Sequence, residues 1–582
     1  MAASSSTAGA GEVQATYLTP TKKAAFANAE AGPSRARPAG ASPAYSSRRH
    51  SLPGSRCWKV GLSGEVDPRA VFDAGGDGYG DREGMEIWDL GLDQVEAARG
   101  SKAEARRLIR VRVLKQIRAI YTKHIMTDPK ARKVIVVENT YLPSYVKDEI
   151  AKSLFDNLKV PSVSFTPASV LALAACGRIT GLVMDIGWLE TTITPVHHSR
   201  PLFHLARCSP LAGRRLHRRF KALFRHHARY YPPPTSFSYL TRQAIQPVPA
   251  EIITNDLVQR IMQQACFVST PSGPAAEVER TEDQPMPADL DELDDADLMD
   301  RLRGRYAPGA DATDVRISTT PLPHETQGMG PATLVVPGWI RERAAEVLFD
   351  DEEGEAVSIP ELVLQCISKL PVDLRPIMIS TILVVGGTAS LPGFIPRLHT
   401  SLLRSLRPPS SSLHDNENPA PLHTPQHRTA ETQAWRKRHL EPYKELYPLS
   451  PKLAILNDPS PLDGEGGSKG GSAPRWRPGL MSWVGGSLAG ALKTGGPEML
   501  REEYDALVLA HAEKGEAYRY RLAGEDAFFA EMSKQSPGDM EGTVGGSIED
   551  LLPGMALSRA GQGKRGWEAD VRVGDWSRVV QA

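Results

Sequence analysis

The sequence predicts an α/β fold, and three observations lead there. Short apolar runs such as Val134, Ile135, Val136 and Val137 have the length of strands buried on both faces. Segments with apolar residues at helical spacing alternate with those runs, which is the order that layers helices on a sheet. With 582 residues the chain is long enough for two or more domains and a large core.

Residues 1–50 are dominated by Ala, Ser, Gly and Pro, too poor in large apolar groups to offset ordering entropy, and read as a disordered tail. Leu108, Ile109, Val113, Leu114, Ile117, Ile120 and Tyr121 then recur at helical spacing through a basic segment ending near Ile125. After the Val134–Val137 strand, Pro143 stands near the start of a helix carrying Val146, Ile150, Leu154 and Phe155. Residues 170–175 form a small-residue helix stopped at Cys176, Gly177 and Arg178. Residues 181–187 are a strand ending in Asp185 and Gly187, a pattern that many ordinary turns share.

Residues 214–227 are strongly basic, but Leu216, Phe220, Leu223 and Phe224 share one helical face, with Arg215, Arg218, Arg219 and Arg225 mostly on others. The favoured reading is an amphipathic helix with a solvated basic face. An acidic partner surface comes second, and nucleic-acid readout third, since no nucleic-acid module is recognisable. Residues 270–330 read as a solvated insert with an acidic core at 289–298, in which Leu290, Leu293 and Leu298 could form a short recognition helix. Further loose inserts are expected at about 408–432 and 464–474, between the parts of one domain spanning 51–525, followed by a flexible extension over 526–582.

Lys and Arg total 69 and so do Asp and Glu, so no net field draws the molecule to nucleic acid or membrane. The five cysteines are too scattered for a zinc site or a disulfide framework, which fits a reducing compartment. No apolar run has the length of a membrane span and the N-terminus lacks a secretory core, so a cytosolic or nuclear location is expected.

Six ordered blocks carry a resemblance. Residues 138–143, 161–196 and 211–214 are similar to actin segments, with 177–183 the nearest in wording. Residues 372–375, 382–388 and 391–394 resemble the adenosine motif, 482–488 and 502–505 the C-terminal block, and 59–64 with 68–72 the segment after the first phosphate hairpin. The resemblance implies a two-lobed actin-like fold of the actin, Hsp70 and sugar-kinase type. In such a fold glycine hairpins approach phosphates while an aspartate holds hydrated Mg²⁺. It implies a cleft lined by Ser55, Lys59, Asp185, Gly187, Gly386, Gly387 and Thr388, with Asp185 as the metal contact wherever nucleotide is held. Read alone, Gly386 and Gly387 also suit an ordinary strand-to-helix turn.

Departures from the family pattern point away from turnover. Leu52 stands where the family has its aspartate and Arg56 where it has a second glycine, and residues 46–53 do not read as a strand. The expectation is that this lobe has lost its first strand, or that the region before Gly54 is wrongly represented. Trp188 replaces an acid and Leu189 a glycine, and bulk there obstructs backbone approach to phosphate. Ala168 takes the position of the water-orienting glutamine, and Met262 and Gln263 that of a Lys–Glu pair facing the nucleoside. No catalytic residue is therefore assigned. ATP or ADP with Mg²⁺ could remain bound but is not required.

No counterpart of the actin loop that inserts into the next subunit is found between Phe72 and Val134, which suits a subunit that ends a filament. Residues 138–144, 160–163 and 185–190 resemble the divergent actin-related protein at the pointed end of dynactin. That resemblance implies a non-catalytic cytoplasmic cap, contacting filament and other pointed-end subunits, and through them dynein and cargo adaptors. The alternative is a nuclear actin-related subunit of a chromatin-remodelling complex. A third reading, an active ATPase or sugar-kinase relative, requires competent phosphate hairpins.

Overall fold

The computed structural model describes residues 49–73, 102–234, 243–269, 296–323, 325, 330–349, 356–406, 441–460, 471–474, 476–494 and 496–513. All of them belong to one unit, residues 47–582.

The first sheet starts with the strands β1 (Arg49–Pro53), β2 (Cys57–Leu62) and β3 (Ala70–Asp73), paired antiparallel in succession. Helix α1 (Lys102–Ala119) runs on into a π-helical stretch, Ile120–Ile125, and buries Ile109, Val113, Ile117, Ile120 and Ile125, the stripe its spacing predicts. Strand β4 (Val134–Glu138) pairs parallel with β1, and β5 (Ser162–Pro167) parallel with β4. Parallel neighbours need crossover connections, supplied between β4 and β5 by α2 (Ser144–Lys152).

Helix α3 (Ala168–Ala175) leads into the second sheet. Its end is a Schellman motif: Gly177 has φ +66°, its N–H donates to the Ala174 carbonyl, and the Arg178 N–H donates to the Leu173 carbonyl. Strands β6 (Gly181–Ile186), β7 (Thr191–His197), β8 (Arg200–Pro201) and β9 (Arg207–Ser209) follow, with β6 antiparallel to β7 and both β8 and β9 paired to β7. Helices α4 (Gly213–His227), α5 (Asn255–Ala265) and α6 (Ala296–Tyr306) accompany a small third sheet of β10 (Arg229–Tyr231), β11 (Val315–Thr319) and β12 (Ala332–Val336). Beyond α7 (Gly338–Arg343), α8 (Ile359–Lys369) and α9 (Arg375–Ile379), strand β13 (Ile382–Val385) returns to pair parallel with β6. Helices α10 (Phe394–Ser405) and α11 (Met481–Leu492), strand β14 (Met499–Leu500) on the edge of the first sheet beside β5, and helix α12 (Arg501–Glu513) complete the described chain.

The two larger sheets repeat one plan. In each, a hairpin's first strand pairs antiparallel with the second (β1 with β2, β6 with β7) and parallel with a strand arriving later (β4, β13). Each sheet carries its own core, around Trp58, Val113 and Phe155 in the first and around Met184, Phe220 and Phe394 in the second. Helices α3 and α11 join the lobes, approaching so closely that a Cβ on Gly485 would lie 1.8 Å from the Leu171 carbonyl oxygen.

Four expectations are corrected. Residues 49–53 do form the first strand of their lobe, held by main-chain ladders on both sides, with Arg49 opposite Leu62 in one and Val134 in the other. Such pairing leaves no mark in local composition, and the tail's boundary at residue 50 correspondingly falls inside β1. The insert at 270–330 contains α6, whose Leu298, Met299 and Leu302 are buried, and the strand β11. His227 Nε2 lies 3.0 Å from the Met299 carbonyl oxygen, fixing α6 to α4. The basic face of α4 is not simply solvated, because Arg219, His217 and His227 are buried and only Arg225 among its arginines is exposed. At 464–474, residues 471–474 are placed, with the Gly471 N–H donating to the Asp458 carbonyl. Leu290, Leu293, the inserted segment at 408–432 and the extension over 526–582 lie outside the described residues. No helix among the described residues is long and apolar enough to cross a membrane.

Candidate functional site

Three turns meet where the lobes face each other: residues 54–56 between β1 and β2, 187–190 between β6 and β7, and 386–388 after β13. The shared plan of the sheets puts the two hairpin turns opposite one another, and the parallel pairing of Val385 with Asp185 sets the third turn beside the second.

The glycine N–H groups of both hairpins are committed inside their own turns. Gly54 N–H donates to the Cys57 carbonyl at 3.2 Å, and Gly187 N–H to the Glu190 carbonyl at 3.1 Å. The hairpin carbonyls are taken as well, since Gly213 N–H at the start of α4 donates to Gly187 O and Arg214 N–H to Trp188 O. A Cβ on Gly213 would stand 2.6 Å from Thr388 Oγ1 and 3.1 Å from Trp188 Cε3, so this helix start fits under the turn only as glycine.

Arg56 and Trp188 reach across the gap. The guanidinium carbon of Arg56 lies 4.6 Å from the centroid of the Trp188 ring, a cation–π stack, and Arg56 also donates to Gln259 Oε1 on α5. The indole meets His217 of α4 edge-on at 5.5 Å. Ser55 is half-buried in the first turn.

Lys59 on β2 and Asp185 on β6 form the charged floor. Asp185 is half-buried by accessible surface yet lies deep enough that desolvation pushes its carboxyl up from the usual aspartate range, with the Lys59 charge opposing the shift. Burial likewise pulls the Lys59 ammonium down, with Cys57 and Asp185 opposing. Glu190 is raised by burial and by Asp185.

Gly386 has φ +104° and sits so near β6 that a Cβ would be 2.2 Å from the Ile186 carbonyl, while its N–H donates to the Pro478 carbonyl. Gly387 faces open space. Thr388 Oγ1 donates to Gly187 O at 2.7 Å and so braces the turns against each other. Ala168 opens α3 packed in the core with Val137, Leu171, Trp483 and Ala489. Met262 packs against the second core, and Gln263 is exposed.

The structure thus brings Asp185, Gly187, Gly386, Gly387 and Thr388 together at the ends of β6 and β13, with Lys59 opposite. A magnesium triphosphate does not fit this arrangement: the N–H groups of Gly54 and Gly187 are engaged within their own turns, and the Arg56 guanidinium lies over Trp188 in the space between the turns. Among the described residues no three His, Cys, Asp or Glu are grouped to hold a metal ion by themselves. Sequence reasoning noticed Arg56 and Trp188 separately and missed their contact, together with Gln259 and His217. The available signal was that two large side chains replace the pattern on opposing hairpins at once.

The actin family model matches residues 53–420. The actin-like protein arp6 of Emericella nidulans is 29% identical over 261 residues, covering 43% of this chain and 48% of the relative. The chain therefore spans about half the length of that curated relative.

Proposed function

Because the chain belongs to the actin family, we propose that it is a non-catalytic actin-related subunit of a larger assembly, and more specifically a cytoplasmic cap on the pointed end of the actin-like filament of dynactin, supporting dynein-driven transport. The observation that carries the non-catalytic part is Ala168. A hydrolytic site needs a polar group to orient the attacking water. At this position stands a methyl group enclosed by Val137, Leu171 and Trp483.

The capping part rests on the wording of residues 138–144, 160–163 and 185–190, and on the lack of an insertion-loop counterpart between Phe72 and Val134. Residues 74–101 of that interval lie outside the described residues. Its partners in this reading are filament and pointed-end subunits, with dynein and cargo adaptors reached through them. A second reading, a nuclear subunit of a chromatin-remodelling complex, is kept because the relative found carries the name of an actin-like protein and not of a dynactin subunit.

Native mass spectrometry of complexes recovered with a tagged copy at mild salt separates the two. Filament and pointed-end subunits in fixed ratio are expected. Remodeller subunits without dynactin would transfer the assignment to the second reading.

A further inference from the structure

Arg56 and Trp188 belong to opposite lobes, and each departs from the family pattern in its phosphate hairpin, Arg56 standing where a glycine is expected and Trp188 where an acid is. In a cleft of this type a nucleotide ties the lobes together because its phosphates accept N–H donors from both hairpins. Here the hairpin N–H groups of Gly54 and Gly187 are used at home. A guanidinium lies on an indole instead, 4.6 Å from its centroid, with its other edge donating to Gln259 on α5. Trp188 is itself fixed, by His217 against its edge and by the Arg214 N–H on its carbonyl.

We propose that Arg56, stacked on Trp188 and hydrogen-bonded to Gln259, is a built-in staple that holds the two lobes closed in place of a bound magnesium nucleotide. A planar cation stacked on a ring face while one of its nitrogens donates to an amide oxygen is a geometry that suits arginine better than lysine. Unlike a nucleotide, both partners of the staple belong to the chain, so the contact is not lost by dilution or by hydrolysis. Closure is then one fixed state that neither nucleotide concentration nor hydrolysis alters, as befits a subunit presenting constant surfaces. The inference deepens the non-catalytic reading, and its own test is stability.

The test is thermal unfolding of the full chain with Mg·ATP, with Mg·ADP and with EDTA, for the native sequence and for Arg56→Ala, Trp188→Ala, the double variant and Trp188→Phe. The native midpoint is expected to stay put across all three additions. Each alanine variant should fall by ~2 °C or more, Trp188→Phe by less because it keeps a ring face, and the double variant by less than the sum of the singles. Additive losses would overturn the staple, and so would a native midpoint raised by Mg·ATP. Should an alanine variant not accumulate folded, the ligand series on the native chain and Trp188→Phe still decides. Steady ATP turnover would overturn the non-catalytic reading and the staple together, whereas additive alanine losses without turnover would overturn the staple alone.

Discussion

The hydroxyl of Thr388 donates a 2.7 Å hydrogen bond to the main-chain carbonyl of Gly187, joining the turn after β13 to the β6–β7 hairpin. Gly213 makes the contact three-sided, since its N–H donates to the same carbonyl and the missing Cβ leaves space for the hydroxyl. A threonine whose wording resembles a nucleotide motif is here spent on holding the protein's own backbone.

Replacing Thr388 by valine keeps the shape and removes the donor. Gly187 O retains the Gly213 N–H, so no buried acceptor is orphaned and the expected loss is about 1 kcal/mol. Urea unfolding reads it directly. A loss well above that would mean that the turns move apart when the brace is cut.

Gly485→Ala should be far more damaging. The added methyl would meet the Leu171 main-chain carbonyl oxygen at 1.8 Å, where no rotamer change relieves it. Helices α3 and α11 must separate, and overpacking of this kind costs about 3 kcal/mol. The variant's unfolding midpoint checks this, and a near-native midpoint would show that the helix pair slides freely.

What the sequence made legible was local. The stripe on α1, the apolar run Val134–Val137 of β4 and the Gly177 stop of α3 each write their geometry into neighbouring residues, and each stands as read. Strand β1 escaped because its pairing partners, β2 and β4, are set by tertiary ladders and not by alternation within 49–53. Helix α6 escaped because acidic neighbours outweigh the three side chains, Leu298, Met299 and Leu302, that anchor it. At the cleft, single substitutions were visible, but the contact between Arg56 and Trp188 spans distant segments that only the fold brings together.

The Lys59–Asp185 floor predicts a pH response. The folded Asp185 carboxyl lies above its unfolded value, so its contribution is fully present below about pH 4 and is lost as pH rises through the folded value. Lys59 is shifted the other way, so its contribution is present above its ordinary range, about pH 10.4, and is lost as pH falls through the folded value. Both groups therefore weigh against the fold near neutrality, each partly relieved by the other. Asp185→Asn should remove the stability that this carboxyl adds on acidification, so the fall on the acid side, measured as urea midpoint against pH, should become steeper. An unchanged slope would mean that other carboxylates set it.

Ala168→Gln restores the side chain that the actin pattern expects and yet should not restore hydrolysis. Strand β5 ends at Pro167, and α3 begins with Ala168 turned into the cluster of Val137, Leu171, Trp483 and Ala489. A glutamine there places an amide in an apolar site, at a cost of about 2 kcal/mol where it finds no partner. Even if the amide swung out to the cleft, the N–H groups of Gly54 and Gly187 are engaged within their turns and Arg56 covers Trp188. The expected outcome is a less stable protein with ATP turnover at background, read by phosphate release alongside thermal unfolding. Turnover gained by this single change would show that the cleft opens readily and that Ala168 alone had silenced it.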